Sequence, residues 1–193
     1  TYQVLSYLEN VGGELNAYTT KEETCIHASF LKEYYNKAIE LISDVAFNST
    51  YPTNELEKEK EVIIDEINSY RDSPAEEICD EFENNLYRGH EMGRNILGTT
   101  DLVNGFTRND LCNFIKNNYS TEKIIIATIG DISFINFKNK IITHFGDYQH
   151  SITSFHRTKF QQLPTFTKIE ERNNHLSHCI IGGIAYHFDN PKK

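Results

Sequence analysis

Gly12-Gly13 cuts off a helical apolar period (Val4, Leu5, Leu8, Val11) and leads into two strand-like stretches, Leu15 to Thr20 and Thr24 to Leu31, parted by the polar turn Lys21-Glu22-Glu23. A glycine pair supplies the left-handed residue on which helices commonly end. Thr, aromatic and aliphatic residues on both sides of a short polar turn form a β-hairpin pattern. This opening constrains the fold, because strands joined by a tight turn run antiparallel, whereas parallel strands need a crossover helix between them. Downstream, Tyr35, Ala38, Ile39, Ile42 and Val45-Ala46 mark an amphipathic helix. Pro52-Thr53 opens the next, over about residues 54–69, with Thr53 as N-cap and Asp72-Ser73-Pro74 as terminator. Helix resumes from Ala75 to Leu86, Gly89 to Gly98 reads as loop, and Thr107 with Asp110 forms a capping box opening a helix through Phe114. Lys123 to Gly130 reads as a buried strand, Phe134 to Phe145 as helix, and His178 to Ala185 as another strand. Strand and helix never alternate regularly, so the pattern predicts an α+β fold, a mixed, largely antiparallel sheet with helices packed on one face.

Charge and composition narrow the function. Nineteen basic residues against 28 acidic ones give a net charge of −9, which argues against a nucleic-acid or anionic-membrane partner. The apolar runs Ile124 to Ile129 and Cys179 to Tyr186 are far shorter than the roughly 20 residues of a membrane helix. Cys25, Cys79, Cys112 and Cys179 lie far apart with no CxxC, so reduced thiols and a cytoplasmic setting are expected. Thr1 runs directly into a helical pattern and is not expected to be a biological start, so any targeting segment would lie upstream.

The helix Glu55 to Ile67 contains an anomaly. At about 100° per residue, Glu57, Lys58, Glu61 and Asp65 share one side while Leu56, Val62, Ile63 and Ile67 share the other. Glu59 and Glu66, seven residues apart, fall within about 20° of each other, between Val62 and Ile63 in the apolar arc. Carboxylates inside an apolar surface need compensation by a metal ion, a basic partner or a shared proton. Alternatively, the arc is only half buried at a cleft rim and the acids are solvated.

Gly12-Gly13-Glu14-Leu15-Asn16-Ala17-Tyr18-Thr19, followed by Glu22 and Thr24, resembles the signature strand of the pitrilysin/insulinase family of zinc peptidases. Glu59 to Ile67 with Asp72-Ser73-Pro74 resembles that family's third-ligand helix, and His90 to Thr99 its following loop. Tyr119 with Ile126 to Gly130-Asp131 is similar to the strand that comes next. The four segments occur in family order, and the branch they most resemble holds mitochondrial processing peptidase β subunits and their bacterial relatives. The resemblance implies an incomplete catalytic-half domain over 1–145, a connector over 146–175 and the first strand of a second homologous domain over 176–193. It makes Glu66 the third zinc ligand and Glu59 the acidic residue that supports catalysis. It also makes Asn16 and Ala17 part of an edge strand to which an extended peptide adds.

The family's two histidine ligands and general-base glutamate form an HxxEH motif, and none occurs here. The eight histidines stand at 27, 90, 144, 150, 156, 175, 178 and 187. Family spacing places the motif about ten residues before Thr1. The resemblance therefore implies a fragment of a zinc metalloendopeptidase whose parent cleaves peptides by zinc-activated water, with the chain alone inactive. The alternative it leaves is a non-catalytic peptide-binding or scaffold subunit of a processing-peptidase-like complex. Either reading implies a second homologous half-domain or subunit, in one chain or as a dimer. His90, beside Arg94, reads as a loop anchor rather than a substrate contact.

Overall fold

The computed structural model describes residues 2–148, 157–161, 163–172, 175–186 and 190–191. In chain order the elements are α1 (Tyr2–Glu9), β1 (Glu14–Thr19), β2 (Thr24–Ser29), α2 (Tyr35–Phe47), α3 (Thr53–Arg71), α4 (Pro74–Leu86), α5 (Thr100–Gly105), α6 (Arg108–Asn118) and α7 (Phe134–Phe145). The fold is α+β, and its described strands form one two-stranded antiparallel sheet. The chain divides into two compact units, residues 1–56 with 107–155 and residues 57–106 with 156–193.

In the first unit, Gly12 adopts φ +76° and the Gly13 N–H donates to Leu8 O at 3.1 Å, turning the chain out of α1. The two glycines answer different needs. Gly12 supplies a backbone conformation that L side chains rarely adopt, whereas a Cβ on Gly13 would lie 2.6 Å from Leu8 Cγ. The hairpin pairs Glu14 with Ser29 through to Thr19 with Thr24. Its turn is closed by the Thr20 N–H donating to Glu23 O at 2.8 Å. Leu8, Ala38 and Leu41 form the buried core, and Val4, Val11, Leu15, Ala28, Phe30 and Val45 pack around them.

α7 is fastened to α2 by the buried Ser43 hydroxyl, which donates to His144 O at 2.7 Å. Beside that bond Phe47 stacks on Tyr148 at 4.0 Å and meets Phe145 and Tyr119 edge-on. Burial raises the Tyr119 hydroxyl pKa above its ordinary value. α6 begins in the expected capping box: Thr107 Oγ1 accepts the Asp110 N–H at 3.3 Å, and Asp110 Oδ2 accepts the Thr107 N–H at 2.8 Å. The Thr107 hydroxyl, and then its backbone N–H, hold the Asp110 carboxyl below the usual carboxylate value. A group with a depressed folded-state pKa stabilises the fold fully above the unfolded value, about 4, and loses that contribution as pH falls through the depressed value. Asp110→Asn is therefore expected to remove part of the acid sensitivity of unfolding below about pH 4. Denaturant midpoints across that range would check it, and parallel profiles for variant and wild type would refute the assignment.

In the second unit, Pro74 occupies the start of α4, where its missing N–H costs nothing. α5 opens with the Thr99 hydroxyl accepting the Leu102 N–H at 3.3 Å. This helix was not anticipated, because its six residues are too few to display a period. The start of α3, in the first unit, also differs from expectation. Pro52 O accepts the N–H groups of Glu55 and Leu56 at 3.0 and 2.9 Å, so Thr53 lies in the first helical turn rather than capping it.

The expected strands at Lys123 to Gly130 and His178 to Ala185 are not part of a ladder among the described residues. Ile124 is extended, with φ −96° and ψ 124°. A continuous apolar run is satisfied only when both faces are covered, and here Ile125 and Ile129 stand 92% and 102% exposed. No described helix is long and apolar enough to cross a membrane.

Candidate functional site

α3 buries Lys60 and Ile67, half-buries Ile63 and Ile64, and leaves Val62, Glu59 and Glu66 exposed. Lys60 and Ile67 each follow one of the two acids by one residue, so the buried arc lies about 100° around the helix from the acidic row. Of the two alternatives the sequence leaves open, the solvated one is observed, and Glu59 and Glu66 do not sit inside a buried apolar stripe. Val62, which stands between them, is 58% exposed. The buried arc tolerates Lys60 because its ammonium donates to Glu57 Oε1 at 2.8 Å and to Asn104 O at 3.2 Å, while its methylenes fill apolar space. Sequence reasoning missed Lys60, since a lysine is seldom expected on a buried face.

The result is a solvent-facing row in which Glu59 and Glu66 stand about 10 Å apart along the axis. An exposed carboxylate pays little desolvation cost and is open to a cation or donor. Among the described residues, no three His, Cys, Asp or Glu side chains are arranged to hold a metal ion. A catalytic zinc site takes three protein ligands and a water. The residues present do not fit a complete zinc site, and Glu66 could supply only one ligand.

Asn16 and Ala17 lie on β1, where both are exposed. Thr20 and Glu23 are a hydrogen-bonded pair, so the antiparallel alternation makes Tyr18/Cys25 and Asn16/His27 bonded pairs as well. The peptide groups of Leu15, Ala17 and Thr19 then point away from β2, along an edge with no strand beside it among the described residues. Asn16 Oδ1 accepts the Ala17 N–H at 2.8 Å. β1 thus has the unpaired edge that strand addition requires. β1 lies in the first unit, while Glu59 and Glu66 lie in the second.

His90 is a loop anchor, as expected. Its Nδ1 accepts the Met92 N–H at 3.1 Å and caps the turn Glu91–Gly93. That leaves the proton on Nε2, which donates to Thr158 O at 3.0 Å. Phe160 packs edge-on against both Tyr87 and His90. Further along, the Arg172 guanidinium pairs with Glu77 and with Glu81 at 2.7 Å, and Lys168 reaches Glu81 at 3.3 Å. A segment that reads as a bare connector is therefore tied to α4 at its described residues. Long-range ion pairs of this kind carry no local sequence signal. Between α3, α4 and the following loop lies a cavity of about 210 Å³, lined by Ile67, Tyr70, Arg71, Asp80, Asn95 and Leu97 among others. Neither Glu59 nor Glu66 lines it.

A family model described as insulinase, peptidase family M16, matches residues 2–100. The chain belongs to this family. The matched M16 span contains β1 and α3, and so Asn16, Ala17, Glu59 and Glu66 together. Bacillus subtilis (strain 168) has a relative named uncharacterized zinc protease YmxG, 31% identical over 176 residues that cover 90% of this chain and 43% of its own. The mitochondrial-processing peptidase subunit beta of Homo sapiens is 32% identical over 190 residues, covering 95% of this chain and 38% of its own. Among solved structures, a peptidase M16 inactive domain from Pseudomonas fluorescens superposes with a TM-score of 0.73 at 16% identity, over 82% of this chain and 39% of that one. At that identity it speaks for the M16 fold alone. The chain spans 31% to 43% of the length of the curated relatives it matches.

Proposed function

We propose that this M16 chain is the part of a zinc metalloendopeptidase that carries the third metal ligand and the substrate strand. Glu66 is that ligand, and Glu59, two turns away on the same row, is the acidic side chain that supports it. The observation that carries this reading is the retention of both acids on one exposed row of α3, in family order after the Gly12-Gly13 strand. The remaining ligands and the general base come from an HxxEH segment outside these 193 residues. Zinc, when bound, supplies Lewis-acid activation of a water for attack on a peptide carbonyl. This chain's own part is to offer Glu66 and to hold an extended peptide along β1, where backbone pairing gives low sequence selectivity.

In this reading residues 1–145 are an incomplete catalytic-half domain, 146–175 a connector and 176–193 the first strand of a second homologous domain. The partner is that second half or a homologous subunit, and the setting is cytoplasmic. A non-catalytic subunit that binds peptide or acts as scaffold is the second reading. The solvation of both acids favours it, because exposed carboxylates can be retained without a metal to compensate them.

The 193-residue chain supplied with Zn²⁺ is expected to cleave no peptide, while the longer protein hydrolyses an extended peptide, stops with chelator and recovers with zinc. Zinc-dependent hydrolysis by the chain alone would overturn the assignment of the missing ligands. No chelator-sensitive hydrolysis by the longer protein would transfer the case to the scaffold reading.

A further inference from the structure

We infer that the Asn16 side chain is a displaceable cap on the free edge of β1, one that an incoming strand must push aside before it can pair. The inference deepens the proposed function and rests on its reading of β1 as the peptide strand. Within the ladder, Ala17 belongs to a non-hydrogen-bonded pair with Ile26, so its N–H points off the sheet edge. An added strand would take that donor. It is already taken, because Asn16 Oδ1 accepts it at 2.8 Å. Asn16 can do this because it stands on the face opposite Leu15, whose side chain packs on the core, so its carboxamide is exposed and free to bend over the edge.

The cap answers two problems at once. An open strand edge invites pairing with any extended chain, a second copy included, and satisfying its donor internally lowers that tendency. A cap made of one rotatable side chain also leaves easily. Asn is suited to this because its short amide bonds readily to adjacent backbone.

Amide hydrogen exchange at Ala17 tests the cap, with rates corrected for side-chain effects on intrinsic exchange. Asn16→Leu keeps the shape without the acceptor, and it is expected to speed Ala17 exchange about two- to tenfold, the range that corresponds to one net hydrogen bond. Tyr18, whose N–H is in the ladder, stays unchanged. Asn16→Asp retains an acceptor oxygen and is expected to keep Ala17 slow. Equal Ala17 exchange in wild type and Asn16→Leu, or acceleration in Asn16→Asp as great as in Asn16→Leu, would overturn the cap.

Displacement is tested by titrating an acetylated and amidated Thr-Val-Thr-Val-Thr peptide and following added protection at Ala17. With no cap to displace, Asn16→Leu is expected to bind it about two- to tenfold tighter than wild type. Tighter binding by wild type would overturn the gating role. If the peptide protects Ala17 in neither protein while the exchange difference persists, the peptide-strand reading fails and the cap stands.

Discussion

In the proposed zinc endopeptidase, with an HxxEH segment supplying the other ligands, Glu66→Gln is expected to empty the metal site of zinc and to lower peptide turnover by more than about 100-fold. That figure is the upper end of what losing a mere supporting partner of a metal ligand costs, so a true ligand should exceed it. Glutamine keeps the shape and one carbonyl oxygen but gives up the charge that holds a divalent cation. The variant is clean because Glu66 is exposed on α3, and substitutions at such positions usually move stability by no more than about 0.5 kcal/mol. Loss of activity could not then be laid to unfolding, which denaturant midpoints would check alongside. Glu59→Gln is expected to behave differently, with turnover down about 10- to 100-fold and most of the zinc retained, as suits a residue acting through the site rather than on the metal. Zinc stoichiometry by elemental analysis separates the two. Full zinc occupancy in Glu66→Gln would sink the ligand assignment, and equal metal loss in both variants would sink the division of roles.

The two acids also mark where sequence reasoning reached its limit. Their common row on one helix face follows from a spacing of seven residues and is as legible in the sequence as in the structure. Which face α3 would bury was not legible, because a helix carrying apolar and charged residues on several sides has more than one arc that could pack. The choice fell on Lys60 and Ile67, and it depended on the Asn104 carbonyl standing ready to receive the ammonium, a tertiary fact 44 residues away in the chain. The hairpin, the capping box at Thr107 and the proline-opened α4 were legible because their causes are local: turn chemistry, a side chain reaching three residues ahead, a ring that fixes φ. The extended runs after Lys123 and His178 were misjudged for the converse reason. Apolar, β-branched sequence predicts a wish to be paired, but pairing needs a neighbouring ladder, and none stands beside them among the described residues. The cap on Ala17 likewise could not be read from Asn16 alone, since it depends on which edge of β1 the ladder leaves open.

Leu8→Ala is expected to destabilise the first unit by about 4 kcal/mol, toward the upper end of the range measured for buried leucines. Leu8 is completely buried. The cost of such a truncation depends on whether neighbours can collapse into the hole, and here two of them have almost nothing to collapse with. Gly13 has no side chain, and Ala38 has a single methyl held on the rigid face of α2. The same geometry makes a second substitution informative. A Cβ at residue 13 would lie 2.6 Å from Leu8 Cγ, so Gly13→Ala alone should be destabilising by overpacking. In the double variant the new methyl enters the space that Leu8 vacates. The two changes should therefore cost less together than their sum by about 1 kcal/mol or more, as residues in direct contact commonly do. Urea unfolding of the four proteins in the cycle measures this, and strict additivity would mean that Leu8 and Gly13 are not packed as described. The contact matters beyond stability, because Gly13 leads directly into β1. Whatever loosens its grip on Leu8 also loosens the strand whose free edge carries Ala17, so Leu8→Ala should raise amide exchange along β1 before the protein unfolds globally.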